Sequence, residues 1–140
     1  MQVVLDIREK ELEERQMEMA KILAALNLQK EKLQDIINAQ ETNKNELEAL
    51  CSSENLEVQQ IESHRDYGIK LITDARNQER VIANTEAILK RKQQEVTEAH
   101  QKVEVLRKLK EKQEKEYYKE FLQAEAKEID DITSARFRFN

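Results

Sequence analysis

Proline and tryptophan are absent from this sequence, glycine and cysteine occur once each, and aromatic residues make up 4% of it. A chain with so little glycine and proline has few ways to turn, and a sheet fold needs many turns. One cysteine, Cys51, can form no internal disulfide and no cysteine metal site, and is read as a small apolar residue near a turn. No apolar run approaches the roughly 18 residues that cross a bilayer, and the N-terminus lacks a secretory apolar region, so a cytoplasmic protein without membrane insertion is expected. Nor is there an excess of positive charge. Lys and Arg number 24 against 29 Asp and Glu, a formal net charge of -5, with the signs interspersed. Nucleic acid is therefore a poor partner, because phosphate binding needs a basic field.

The residues of catalysis are missing in the same way. There is no glycine-rich phosphate loop and no nucleophile elbow. His64 and His100 lack partners at the usual metal-ligand spacings, and Glu62 and Asp66 beside His64 are read as surface charge. Neither an enzyme nor a holder of cofactor or metal is expected.

What is present is charge and periodicity. Charged residues reach 38%, against about 25% in ordinary domains. Disordered chains are depleted in apolar residues, whereas Leu, Ile, Val and Ala recur here from Leu5 to Ala135. Leu5, Leu12, Met19, Leu26, Leu33 and Leu47 fall on one seven-residue repeat, broken at Gln40; Ile22, Ile36 and Leu50 lie three positions after members of it. A second series runs through Ile61, Gly68, Ala75, Ile82, Leu89, Val96 and Val103. Its partner position holds Leu71, Ala99 and Leu106 at some heptads and Gln78, Thr85 and Lys92 at others. A narrow apolar stripe between Glu, Lys and Gln is the sequence form of a coiled coil, and its polar members imply modest stability.

The stripe lapses at Cys51-Ser52-Ser53-Glu54-Asn55. Ser52 and Ser53 suit helix N-caps, and Glu54 and Glu57 would put acid in a first helical turn. The expectation is an all-α, antiparallel two-helix coiled coil, a single unit over 1–140: helix 1 over about 2–50, a turn at about 51–55 and helix 2 over about 56–137. The first arm would be about 70 Å long, leaving a C-terminal overhang unpartnered after about residue 105. One continuous helix in a parallel dimer is the competing reading, since no Gly or Pro enforces the turn. Gly68 in a helix costs about 1 kcal/mol relative to Ala, so it is either tolerated or offset by close packing. Tyr117, Tyr118, Phe121, Phe137 and Phe139 crowd the C-terminal quarter, with Tyr117, Phe121 and Ala124 on one helical face. They either cap the core where the short arm ends or form a docking face. The basic stretch Arg107, Lys108, Lys110, Lys112 and Lys115 is read as a solvated face.

Two stretches carry a family resemblance. The opening, Val3-Val4-Leu5-Asp6-Ile7-Arg8-Glu9-Lys10-Glu11, resembles the start of FliJ, the flagellar type III export protein. So does the tail, where Leu106-Arg107-Lys108-Leu109-Lys110-Glu111-Lys112 leads to Tyr117-Tyr118, then Glu125-Ala126-Lys127-Glu128-Ile129-Asp130-Asp131-Ile132, and then Arg136-Phe137. Family members often begin with a short aromatic-bearing segment before this opening, whereas the sequence here starts almost on it. The resemblance implies an antiparallel coiled coil similar to the central stalk of rotary ATPases. Its paired-terminus end would enter the ring of the export ATPase, FliI, and promote assembly. It also implies contacts with the export gate protein FlhA and with export chaperones, peripherally at the inner face of the cell membrane. By resemblance, ATPase-facing residues lie among Arg8, Glu11, Arg15, Glu125, Lys127, Glu128, Asp131, Arg136 and Phe137. Gate-facing residues lie around Tyr67, Leu71, Asp74 and Gln78.

Three other functions compete. A YscO-like stalk of a virulence type III system is close to the flagellar reading. A parallel structural rod predicts a helix unbroken through Ser52-Ser53. A chaperone-like module predicts an open apolar groove that orders around a client.

Overall fold

The computed structural model describes residues 1–139 and the side chains of residues 1–138. The Phe139 side chain, part of the aromatic cluster read from the sequence, lies outside the described residues. Two helices account for nearly all of the chain: α1, Gln2–Cys51, and α2, Val58–Phe139. They pack against each other in opposite directions, so the fold is a helical hairpin and the continuous-helix reading is set aside. By contact density the chain divides into two units. One is Arg15–Val96, containing the turn; the other joins Met1–Glu14 to α2 from Thr97 onward.

The connection covers residues 52–57, later than the 51–55 expected. The serines explain the difference. Ser52 donates both its main-chain N–H and its hydroxyl to the Glu48 carbonyl, at 3.0 and 2.9 Å, so it extends the end of α1 instead of starting α2. The Ser53 hydroxyl accepts the Asn55 N–H at 3.3 Å, a serine turn within the loop. Neither serine caps α2, and neither helix has acid in its first turn. Among the described residues no backbone angle enters the left-handed region, so six loop residues reverse the chain without glycine.

Within the unit Arg15–Val96 the heptad series read from the sequence form the seam. Leu26, Leu71 and Ile82 are buried, while Met19, Leu33, Ile36 and Leu89 are half-buried. Two helices cannot enclose a core, so most seam residues keep partial exposure. The polar members of the α2 seam, Gln78, Thr85 and Lys92, each have a partner. Gln78 donates its amide to the Gln29 carbonyl of α1 at 2.9 Å, and Thr85 donates its hydroxyl to the Val81 carbonyl one turn back at 3.0 Å. Lys92 reaches out of the seam to Glu18 and Glu95, both at 3.2 Å. On α1, by contrast, the Gln29 side-chain oxygen is buried with no hydrogen-bond partner.

A second polar layer lies nearer the turn. Asn43, 7% exposed, donates its amide to the His64 carbonyl at 2.9 Å, and its side-chain oxygen lies 2.8 Å from His64 Nδ1. That oxygen can only accept, so Nδ1 carries the hydrogen. Gly68 sits one turn along α2 from His64. A Cβ there would come within 3.1 Å of Asn43 Nδ2, tighter than ordinary packing allows. The glycine is therefore matched to Asn43 rather than merely tolerated.

In the other unit Leu5 and Val103 are buried, Val103 completely. Arg107 meets Glu9 at 3.1 Å, and Lys110 bonds the Gln2 side chain. Pairing thus continues to Lys110, past the residue 105 expected, and every described side chain from Glu111 onward is exposed.

Gly→Ala inside a helix ordinarily stabilises by about 1 kcal/mol. Gly68→Ala should yield none of this in the native protein, because Asn43 is held by two bonds and cannot give way. In an Asn43→Ala background the same substitution should recover about 1 kcal/mol. Thermal unfolding followed by circular dichroism, run as a double-mutant cycle, measures the difference.

Candidate protein-interaction surfaces

A two-helix molecule offers faces and grooves rather than a pocket. Its functional groups are best taken unit by unit.

In the unit that carries both termini, Arg8 is half-buried and binds Glu11 one turn on, at 3.0 Å. With Val4, Lys102, Val105 and Leu106 it lines an open, largely apolar groove between α1 and α2. Glu125, Lys127, Glu128, Asp131, Arg136 and Phe137 are all exposed, Phe137 at 85%. They lie beyond the reach of α1. Glu125 is fifteen residues past Lys110, the last α2 residue bonded to α1, or about 22 Å along the helix. The structure therefore does not bring Arg8 and Glu11 together with the tail residues; they occupy successive stretches of the same unit.

The aromatic residues do not cap the core. Tyr117 is 74% exposed and Phe121 50%. Tyr117 and Tyr118 border an open groove with Met1 and Gln2, and Phe121 lies beyond it. Of the two readings offered by the sequence, the exposed face is the one observed.

Arg15 belongs to the other unit, in a network of four charges. Its guanidinium lies 3.6 Å from Glu18 and 3.4 Å from Glu95, and Lys92 Nζ lies between the same two carboxylates. The hydrogen bond from Lys92 and its charge hold the Glu18 carboxyl below its usual range. The bonds to Glu95 and then Glu18 raise the Lys92 amine above its own. Lys92 is thus a seam residue whose charge is carried to the rim.

Nearer the turn, the four residues assigned to a gate partner divide sharply. Tyr67 is exposed and Asp74 half-exposed. Leu71 and Gln78 are buried in the seam, at 5% and 7% exposure. Only the first pair presents side chains to a partner while the helices stay together. Tyr67 borders an open groove with Ala39, Thr42, Glu46 and Ser63, closed at its base by the Asn43–His64 pair. His64 Nδ1 is also 3.7 Å from Glu46. Glu62 and Asp66 stay exposed, and among the described residues no group of three or more His, Cys, Asp or Glu could hold a metal. Asn43 and Gln29 were overlooked in the sequence because only apolar residues had been placed on the second α1 series. Counting sevens from Ile22 through Ile36 to Leu50 passes through both.

No described helix is long and apolar enough to cross a membrane. A family model described as flagellar FliJ protein matches residues 1–140, the whole chain. No curated protein and no solved structure matches.

The signs of the two shifts define a pH window for the charge network. Glu18, with its pKa lowered on folding, contributes stability above about pH 4.3 that is lost as pH falls through the folded value. Lys92, raised, contributes below about pH 10.4 and loses it as pH rises through its folded value. Glu18 is exposed and the charged end of half-buried Lys92 is open to solvent, so the effect is small. The difference in thermal midpoint between the native protein and Glu18→Gln should be flat from about pH 5 to 10 and shrink toward pH 3. A difference unchanged down to about pH 3 would contradict the assignment.

Proposed function

The chain belongs to the FliJ family, and from that premise we propose that this coiled coil of flagellar type III export serves as a stalk linking the export ATPase to the export gate. It acts by binding rather than catalysis. The observation that carries this reading is the tail of α2, which runs on past Lys110 with every described side chain exposed and charges of both signs. Such a helix is suited to a ring pore. Exposed ion pairs contribute only about 0.2–1 kcal/mol each, so many weak contacts can shift as ring subunits cycle and none locks the stalk.

In this proposal Arg8, Glu11 and Arg15 of α1 and Glu125, Lys127, Glu128, Asp131, Arg136 and Phe137 of the tail face the ATPase. Phe137, the most exposed of the described large apolar side chains, supplies burial that the charges cannot. Tyr67 and Asp74 meet the gate protein. Leu71 and Gln78 support that face from the seam without touching the partner. Export chaperones are further partners. The protein works in the cytoplasm, peripherally at the inner face of the membrane when assembled.

Replacing Arg8 and Arg136 together by Glu should reduce stimulation of the purified export ATPase to the rate of the ATPase alone, with helicity unchanged. Stimulation equal to that by the native chain would sink the assignment of this surface. At the other surface, Tyr67→Ala should weaken binding to the cytoplasmic part of the gate protein and leave the thermal midpoint in place. Leu71→Ala should instead destabilise the hairpin by about 2 kcal/mol. Titration calorimetry beside thermal unfolding separates the two effects.

A further inference from the structure

The exposed tail of α2 carries an apolar stripe that does not continue the seam. Extending the seam from Val103 and Lys110 by heptads leads to Tyr117 and Ala124. The larger apolar side chains Tyr118, Phe121, Ile129 and Ile132 lie roughly a quarter-turn away around the helix, at about 100° per residue. They are 61%, 50%, 62% and 50% exposed, although such residues are ordinarily covered.

Their spacing is symmetric about Glu125. Phe121 and Ile129 lie four residues before and after it, and Tyr118 and Ile132 lie seven before and after. Eleven residues before it is Glu114 and eleven after it is Arg136, of opposite charge. In an α-helix, offsets of four, seven and eleven return to one face, so these residues form a single row centred on Glu125. An antiparallel two-fold pairing sets each residue against the one at the mirrored position on the other copy, so it requires a row that is self-complementary about its centre, apolar against apolar and charge against opposite charge, as this one is at these offsets.

We infer that this face binds a second copy of the chain, tail to tail and antiparallel, with the two-fold axis at Glu125. Tyr118 of each copy packs on Ile132 of the other, and Phe121 packs on Ile129. Glu114 pairs with Arg136 at both ends of the contact. In this pairing Leu122, three residues before the centre, meets the aliphatic stem of the other copy's Glu128, three after it. The row from Glu114 to Arg136 spans 23 residues, about 34 Å of helix. One element opposes the pairing: the two Glu125 carboxylates face each other across the axis. The assembly is thus weak and reversible. It also covers Glu125 and Arg136, so a paired tail cannot at the same time present them to the ATPase. Self-association in this form holds the free chain in reserve.

The test uses the isolated full chain with Cys51→Ser, which removes disulfide pairing through that exposed thiol. It needs no ATPase, so its outcome is independent of the stalk assignment. Sedimentation velocity over a dilution series reaching roughly 1 mM should show a monomer–dimer equilibrium. Ile129→Glu should weaken it at least about tenfold. Glu125→Gln should tighten it several-fold, the opposite direction. Arg136→Glu should weaken it, and adding Glu114→Arg to the same chain should restore it, since the charges are then exchanged. Circular dichroism checks that each variant stays helical. A monomer throughout the series overturns the inference. So does a dimer indifferent to Ile129→Glu, a failure of Glu125→Gln to tighten it, or a failure of the charge exchange to restore it.

Discussion

Asn43 reaches across the seam to both the main chain and the ring of His64 and packs on Gly68, and the register of the Arg15–Val96 unit depends on that contact. The apolar seam alone does not choose a register. Its leucines and isoleucines repeat every seven residues, so sliding one helix by a heptad would set similar side chains together again. The Asn43 layer does choose. Every helical position offers a carbonyl, so a slide would give both amides new main-chain partners, but it would take His64 Nδ1 from the buried Asn43 oxygen, a loss of about 1–3 kcal/mol. It would also set Asn43 against Ile61 or Ala75 in place of Gly68, where even one added carbon is crowded. One glycine and the Asn43–His64 pair thus supply the specificity that a thin apolar stripe lacks.

The same economy shapes what the protein can do. With so few residues fully buried, the molecule has no interior in which to hold a reacting group and little stability to give up. Its chemistry lies on its faces. Some of the charge on those faces is committed in ion pairs within and between the helices, such as Arg8 with Glu11, Arg107 with Glu9 and Glu104, and Lys92 with Glu18 and Glu95. The tail beyond Lys110 is different. Beyond Tyr118, which borders a groove with Met1 and Gln2, it carries both charge and large apolar groups with nothing from α1 opposite them, and a lone amphipathic helix in water is marginal unless something covers it.

Much of this was legible in the sequence, because heptad spacing is a direct consequence of helical geometry. The helical hairpin and the seam residues Leu5, Leu26, Ile82 and Val103 could be read by counting. Gln78 could be placed on the seam in the same way, as a polar interruption. What could not be read was partnership between residues distant in sequence. Nothing local to Asn43 shows that its amide meets the main chain of His64, or that Gly68 makes the room. The serines misled for a related reason. A serine hydroxyl suits the start of a helix, but it can equally bond back four residues, and Ser52 does so to Glu48. Leu71 and Gln78 were offered as contact residues on a resemblance that carries no facing information, whereas their heptad position already placed both on the seam.

The central claim is that the two arms fold back on each other in this register, and a distance measurement tests it most directly. Spin labels at the exposed positions Lys30 and Glu86, with Cys51 replaced by Ser, would be read by pulsed dipolar spectroscopy. The labelled chains would be diluted with unlabelled chain to suppress intermolecular distances. In the hairpin these side chains meet at 4.0 Å, so a single short distance is expected. An unbroken helix would separate the two positions by about 84 Å. That result, or a short distance that vanishes on dilution, would contradict the account.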